Sequence, residues 1–188
     1  MHVTHHSSEE FNLTTGLRSS VLQPVYRFIY LTPLALLGFT PFDIVFMYSV
    51  IQTDGILVHT QYINKMPSWF EIVFVSPAHH QVHHASNVIY LDKNMGMCLI
   101  IWDKLFGSFQ EEIKEVPVKY GLTKPVENAD NPVNIILHEW HNLARDVKKK
   151  TSFGTKFKYI FMPSGWSHDG ITKTARQIRL EQKQNLQK

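Results

Sequence analysis

The chain has 188 residues, a length typical of one domain, and carries a formal net charge of +3. Its single cysteine, Cys98, excludes an intrachain disulfide and a cluster of thiolate metal ligands. Residues 28–64 contain no Lys or Arg, whereas residues 148–188 contain ten of them against two acidic residues. This distribution favours contact with an anionic membrane surface, and because the basic end has no nucleic-acid-binding motif we expect no nucleic acid partner.

The first predicted element is an amphipathic helix over residues 2–23, and two apolar segments follow it at residues 25–38 and 42–63. As helices these segments would be about 21 Å and roughly 33 Å long, and only the second length is enough to cross a hydrocarbon core. We therefore predict a membrane hairpin over about residues 25–63 that enters or crosses a bilayer and returns. Pro33, Asp43 and Asp54 keep open the alternative of a buried hairpin in a soluble protein.

The rest of the chain is more polar. Turn residues at 92–96 precede an apolar, helix-like run that ends near Phe106, and residues 111–134 read as a surface loop. Residues 132–150 are typical of an amphipathic helix at a membrane interface. From residue 171 the Gln- and Lys-rich composition predicts a disordered tail. The predicted fold class is all-α: a membrane hairpin with a helical cap on the cytosolic side. Residues 1–125 would form the catalytic part, residues 126–170 the interfacial helix and loop, and residues 171–188 the tail.

The pattern His-x-x-His-His occurs twice, at residues 2–6 and 80–84. On a helix, positions i, i+3 and i+4 share one face, so each copy directs three imidazoles the same way. One copy could be chance, but two copies together with His59 point to a metal site. A returning hairpin would bring the copies together, and this number of rings exceeds the four ligands of a structural zinc site. We therefore predict two metal ions. The predicted ligands are His2, His5, His6, His59, His80, His83 and His84.

Five stretches of this sequence resemble the fatty acid hydroxylase/sterol desaturase superfamily of integral membrane di-iron enzymes. They are HVTHHSSEEFNLTTGLRSS, VHTQYI, SPAHHQVHH, YLDKNMG and IWDKLFGSF. Within that superfamily the chain is most similar to the alkylglycerol monooxygenase branch, through HHSSEEFNLTTGLR, KYGLTKPV and the pair Gly165-Trp166.

The resemblance implies O2-dependent hydroxylation or desaturation of a membrane lipid, such as an ether lipid, a sterol or a fatty acyl chain. It implies two iron ions, O2 as co-substrate, and electrons from tetrahydrobiopterin or a redox protein. The two boxes match the superfamily's second and last boxes, and His59 matches an additional ligand between them. The resemblance also implies that His79, Asn87 and Asp92 orient the ligands.

Two departures from the superfamily stand out. An earlier His-x(3–4)-His box is missing before His2, and Gly55 stands where some members carry His or Gln. We therefore expect the chain to be the C-terminal part of a longer enzyme or a truncated gene product. The rival hypothesis is a catalytically silent membrane fragment that binds metal. The basic residues after position 147 predict that both ends of the chain and the active site face the cytosol.

The tetrapeptide HEWH at residues 138–141 resembles a metalloprotease motif only superficially. Its two histidines are three residues apart, whereas the zinc protease motif places them four apart on one helix face. We therefore interpret it as part of the interfacial helix.

Overall fold

A computed structural model describes residues 3–20, 23–126, 128–129 and 131–185. The all-α prediction is confirmed over these residues, which contain no strand and only two isolated β-bridges. The helices are Val3–His6 (α1), Leu13–Gly16 (α2), Gln23–Leu36 (α3), Pro41–Leu57 (α4), Ser68–Val73 (α5), Pro77–His83 (α6), Ile101–Phe106 (α7), Pro132–Lys148 (α8), Phe153–Phe161 (α9) and Ala175–Asn185 (α10), with a 3-10 turn at Val88–Tyr90.

The N-terminal segment forms two short helices, so the prediction of one helix over residues 2–23 is wrong within the described part of that range. Asn12 explains the interruption, because its side chain accepts hydrogen bonds from the backbone N–H groups of Thr14 (3.0 Å) and Thr15 (3.3 Å). Such local bonds favour caps and turns over helix interiors. The buried Thr15 hydroxyl donates to the Glu10 carbonyl at 2.9 Å and ties the intervening loop to α2.

Helices α3 and α4 pack against each other as a helical hairpin, while its predicted insertion into a membrane remains a prediction. Gly38, with φ +95°, allows the chain to reverse between them. Thr40 and Asp43 then form a reciprocal cap at the start of α4, because each accepts a hydrogen bond from the other's backbone N–H (3.3 and 3.0 Å). Asp43 is therefore a capping residue of the hairpin.

Helix α4 ends at Leu57 and not near residue 63, so it is about 25 Å long at 1.5 Å per residue. A longer helix would pair the backbone N–H of His59 with the Gly55 carbonyl. Instead the Nδ1 atom of the His59 ring lies 2.6 Å from the Gly55 carbonyl oxygen. The backbone N–H of His59 donates to the Ile56 carbonyl. Within the described residues, no helix has both the length and the apolar character needed to cross a membrane.

The core beside α6 is built around Tyr90, which is fully buried with Val82 and Ala85. The Tyr90 hydroxyl donates to the Val116 carbonyl at 2.7 Å and accepts from the Ile113 N–H at 2.8 Å. The loop that the sequence placed on the surface is therefore anchored to the core at this point.

At the C-terminal end, the helix predicted over residues 132–150 is present as α8, and it packs against α9. The prediction of a disordered tail from residue 171 is wrong for α10, while residues 186–188 lie outside the described residues. Arg179 on α10 forms an ion pair with Asp92 at 3.3 Å and donates to the Leu91 carbonyl. These contacts place α10 beside the 3-10 turn. The composition of residues 171–188 alone does not reveal that Arg179 has these bonding partners.

Candidate metal centre

The two histidine boxes meet in space. The Nε2 atom of His59 lies 3.1 Å from the Nε2 atoms of His5, His80 and His84. Potential ligand atoms of all four rings lie within 4.8 Å of one another, and we call this group site A. Three separate parts of the chain, namely α1, the end of α4 and α6, thus direct imidazole nitrogens to one point.

A second group adjoins the first. Potential ligand atoms of His6, His83 and His84 also lie within 4.8 Å of one another, and we call this group site B. His84 belongs to both sites. Its ring stacks on that of His6, with 4.2 Å between the ring centroids. Six of the seven predicted ligands are therefore brought together, and the seventh, His2, lies outside the described residues.

Helix α6 positions the last box through its N-terminal cap. The Ser76 hydroxyl accepts from the His79 backbone N–H at 3.4 Å, and the His79 ring accepts from the Ser76 N–H at 3.3 Å. The His79 ring also packs on Phe109, with centroids 5.4 Å apart. His79 thus holds the start of the helix whose next turn carries His80, His83 and His84.

Backbone carbonyls set the tautomers of three rings. The Nδ1 atoms of His5, His59 and His83 lie 3.1, 2.6 and 3.1 Å from the carbonyl oxygens of Arg18, Gly55 and Lys93. A carbonyl only accepts, so each Nδ1 must carry the proton and each Nε2 keeps its lone pair. Such outer contacts orient metal-binding imidazoles and raise their basicity.

Two glycines permit this close packing. A Cβ atom at position 55 would lie 2.6 Å from the Met97 methyl carbon, and one at position 16 would lie 3.0 Å from Nδ1 of His59. The sequence marked Gly55 as a departure from the superfamily. In the structure its carbonyl anchors the His59 ring and its missing side chain leaves room for Met97.

The donor set fits a metal ion. Burial lowers the pKa of His5, His80 and His84, and it lowers the pKa of His59 to about 4, so the rings are neutral at pH 7. With Nδ1 protonated in both rings, the Nε2 lone pairs of His5 and His59 face each other at 3.1 Å, and they repel unless a cation lies between them. Two imidazole nitrogens bound to one ion at about 2.0–2.1 Å would lie about 3 Å apart. The observed distance between the Nε2 atom of His59 and those of its three neighbours is 3.1 Å. Imidazole ligands suit iron, zinc, copper and nickel.

Phe11 closes one side of site A. Its side chain is 2% exposed, and its ring lies 5.3 Å from that of His59 and 5.1 Å from that of His84. The Tyr120 ring stacks on Phe11 at 5.0 Å, and burial raises the pKa of its hydroxyl to about 12. The loop over residues 111–134 therefore supplies an aromatic cover for the histidines.

Asn87 and Asp92 contact loops next to the histidines. Asn87 donates to the Pro117 carbonyl at 3.2 Å and accepts from the Lys119 N–H at 2.7 Å. Asp92 pairs with Arg179. That either residue orients a ligand remains a prediction.

Sequence reasoning missed Asp103 and Asn94. The Asp103 carboxylate is 2% exposed and accepts from the Met95 N–H, the Gly96 N–H and the Ser108 hydroxyl at 2.7, 2.8 and 2.6 Å. Asn94, with φ +50°, donates to the carbonyls of His79 (3.0 Å) and Gln110 (2.8 Å). Together they fix the loop whose Lys93 carbonyl holds His83. Asn94 lies in the stretch YLDKNMG and Asp103 in the stretch IWDKLFGSF. Both stretches supported the resemblance, but the sequence alone gave neither residue a role.

The HEWH tetrapeptide lies on α8, as predicted. The His138 Nδ1 atom bonds to the Ile135 carbonyl at 2.8 Å, within the same helix. Among the described residues, neither His138 nor His141 belongs to a group of potential metal ligands.

The described residues form an all-helical arrangement with two adjoining histidine-only groups beside an apolar hairpin, the pattern expected of a histidine-box protein. Residues 1–108 match the family model described as fatty acid hydroxylase, and the chain therefore belongs to the fatty acid hydroxylase family. It is 40% identical to alkylglycerol monooxygenase of Homo sapiens over 169 residues, which is 88% of this chain and 36% of that protein. It is 33% identical to alkylglycerol monooxygenase of Xenopus tropicalis over 187 residues, which is 97% of this chain and 41% of that protein.

A more distant relative is ornithine lipid hydroxylase OlsE of Rhizobium tropici, 25% identical over 126 residues, or 66% of this chain and 38% of that protein. The predicted resemblance to the superfamily and to its alkylglycerol monooxygenase branch is confirmed. The chain spans 36% to 41% of the length of the two alkylglycerol monooxygenases. No solved structure matches it.

The buried rings make the free energy of unfolding of the metal-free chain depend on pH. Burial lowers the pKa of the site A histidines below 6.5, so the unfolded state binds more protons once the pH falls below that value. We expect unfolding to become easier between about pH 6.5 and about pH 4, by up to about 1.4 kcal/mol per pH unit for each ring that stays neutral. Urea unfolding at several pH values measures this slope. His141→Ala, outside the cluster, should leave it unchanged, and a flat profile between pH 6.5 and 5 would contradict the prediction.

Proposed function

We propose that this chain carries the metal centre of an O2-dependent lipid hydroxylase and holds two iron ions, one at site A and one at site B. The convergence of four Nε2 atoms from three parts of the chain carries this proposal. Two adjoining ligand groups that share His84 favour two ions over one.

The chemistry follows from an all-imidazole donor set. Iron held by neutral ligands keeps a high positive charge and would supply the capacity to bind and reduce O2. The chain's own residues hold the rings by backbone carbonyls, and Phe11 excludes water from one side. Two cavities adjoin the rings: one of about 380 Å³ beside His5, His59 and His80, and one of about 300 Å³ beside His6 and His83.

The substrate we propose is a membrane lipid, with an ether lipid preferred over a sterol or a fatty acyl chain. The names of the relatives support hydroxylation over desaturation, because they are two alkylglycerol monooxygenases and an ornithine lipid hydroxylase. Tetrahydrobiopterin is the electron donor that the branch resemblance favours, and a redox protein is the other candidate.

Membrane attachment is also a proposal, and it rests on the apolar surface of the hairpin. Large exposed side chains cover both helices, among them Phe28 (72%), Leu36 (83%), Phe42 (76%) and Phe46 (56%). Exposed apolar patches of this kind mark contacts with lipid or protein. We propose that α3 and α4 enter the bilayer from the cytosolic side and that the metal centre lies at the same surface.

The test of function uses the purified chain in detergent, loaded anaerobically with Fe(II) and supplied with O2, a reductant and a 1-O-alkylglycerol. Tetrahydrobiopterin and a ferredoxin system are compared as reductants. The proposal expects O2-dependent hydroxylated product from wild type and none from His84→Ala. Two tightly bound iron ions without oxidation of an ether, acyl or sterol lipid would instead support the metal-binding fragment.

Introducing charge into the hairpin should weaken its attachment to lipid. The double variant Phe42→Asp, Phe46→Asp removes two exposed rings, each worth about 1.5–3 kcal/mol when fully buried, so binding to phosphatidylcholine vesicles should fall at least tenfold. Sedimentation with vesicles measures the bound fraction. Ile171→Asp, an equally apolar exposed position outside the hairpin, is the matched control. Equal binding of both variants would refute insertion through this surface.

A further inference from the structure

Arg27 is a half-buried cation on the inner side of the hairpin. With the Gln52 amide oriented so that its oxygen faces Arg27, that oxygen lies 3.2 Å from both terminal guanidinium nitrogens. The guanidinium carbon also lies 5.0 Å from the centre of the Tyr48 ring. Within the part of the chain that the structure describes, no carboxylate lies within 4.0 Å of this guanidinium.

Arg27 faces the same cavity as site A. The cavity of about 380 Å³ is lined by Arg27, Gln52 and Arg18 as well as by His5, His59 and His80. No Asp or Glu is among its described lining residues. A ligand in this space can therefore contact both the guanidinium and the imidazoles.

The arrangement leaves a positive charge uncompensated. A neutral amide accepts hydrogen bonds but does not balance charge, and a partly buried cation without a counter-ion is costly. The Gln52 oxygen accepts from one N–H of each terminal nitrogen, and the three remaining guanidinium N–H groups can donate to oxygens of a phosphate or carboxylate. Tyr48 and Gln52, both on α4, hold the guanidinium against α4 and the cavity. An arginine that only extends into bulk lipid would not need these contacts.

We propose that Arg27 binds the oxyanion of a headgroup, phosphate or carboxylate, of the single-chain lipid that site A acts on. The inference rests on the proposed function and adds the headgroup class to it. The cavity is at the small end of the range for ligand pockets, so it takes the headgroup and the adjoining carbons while the chain leaves along the apolar hairpin. Arg18, on the same cavity, adds a second positive charge.

The experiment measures binding, so that it does not depend on turnover. A 1-O-alkylglycerol phosphate and the uncharged 1-O-alkylglycerol of the same chain length compete with a fluorescent alkyl lipid in neutral detergent. Wild type should prefer the phosphate by about ten- to a hundredfold. Arg27→Gln should reduce the preference to threefold or less with little change for the uncharged lipid, and Arg27→Lys should keep part of it.

Gln52→Glu gives a second variant that keeps the arginine. The new carboxylate would pair with Arg27, and it should weaken binding of the phosphate lipid about tenfold while leaving the uncharged lipid unaffected. Arg176→Gln, at an exposed arginine on α10, is the matched control and should behave as wild type.

Several results would overturn the proposal. An unchanged preference in both Arg27→Gln and Gln52→Glu would remove Arg27 from recognition. A preference that disappears with the metal would assign the anion to the metal, so metal-free and metal-loaded protein are compared. Inorganic phosphate that binds as tightly as the phosphate lipid would indicate a free-anion site. Failure of iron-dependent turnover, with the binding preference intact, would contradict only the proposed function.

Discussion

Replacement of His84 with alanine is expected to remove both metal ions from the chain. His84 is the one ring common to site A and site B, and it is 3% exposed. A neutral imidazole has one lone pair and binds one ion directly, so the loss of His84 removes a ligand from one site and a packed ring from the other, since it contacts both His59 and His6. Metal analysis of protein loaded with Fe(II) or Zn(II) should fall from two ions per chain to nearly none.

Single-site variants provide the comparison. His6→Ala and His59→Ala each affect one site, so each should retain one ion per chain. His141→Ala, on α8 outside both groups, should retain two. Retention of one ion by His84→Ala would show that one site holds its ion without this ring, and loss of metal from His141→Ala would show that HEWH contributes a metal ligand after all.

The sequence predicted which histidines would cluster, because spacing along a helix fixes the direction of each ring within a box. Spacing of three and four residues places imidazoles on one helix face wherever the helix lies, and a returning hairpin is enough to bring His5 near His80.

The atoms that orient the rings were beyond prediction, for a physical reason. They are backbone carbonyls of Arg18, Gly55 and Lys93, and every residue has a carbonyl. Which one faces an imidazole depends on loop conformation, here on Asn94 with a positive φ and on Asp103 nine residues further along the chain. Helix α10 was missed likewise, because the contact that docks it joins Arg179 to residues 91 and 92.

The N-terminal box depends on the site for its own structure. Helix α1 has four residues. A helix this short is unstable alone, because the free energy cost of nucleating it exceeds what the hydrogen bonds of one turn contribute. Its histidines are held by contacts to rings from α6 and the end of α4. Metal binding and the ordering of α1 should therefore be coupled, since a site that forms only in the folded state adds its binding free energy to folding.

Replacement of Asp103 with alanine is expected to destabilise the fold and to release the ion at site B selectively. The carboxylate accepts three hydrogen bonds, and bonds to charged groups contribute about 1.5–3 kcal/mol each, so a loss of about 3 kcal/mol or more is expected. The freed loop carries the Lys93 carbonyl that holds His83, a ligand of site B alone. Urea unfolding and metal analysis at low temperature should show lower stability and one ion per chain.

Two variants separate this effect from general unfolding. Asp103→Asn keeps one acceptor oxygen and should lie between wild type and Asp103→Ala in both measurements. Asp92→Asn breaks a half-exposed ion pair on the same loop, so it should lower stability by at most about 1 kcal/mol. If Asp103→Ala keeps two ions while it loses stability, the loop does not position His83. If it loses both ions while circular dichroism shows intact helices, its influence reaches site A, and the selective role assigned to the Lys93 carbonyl is wrong.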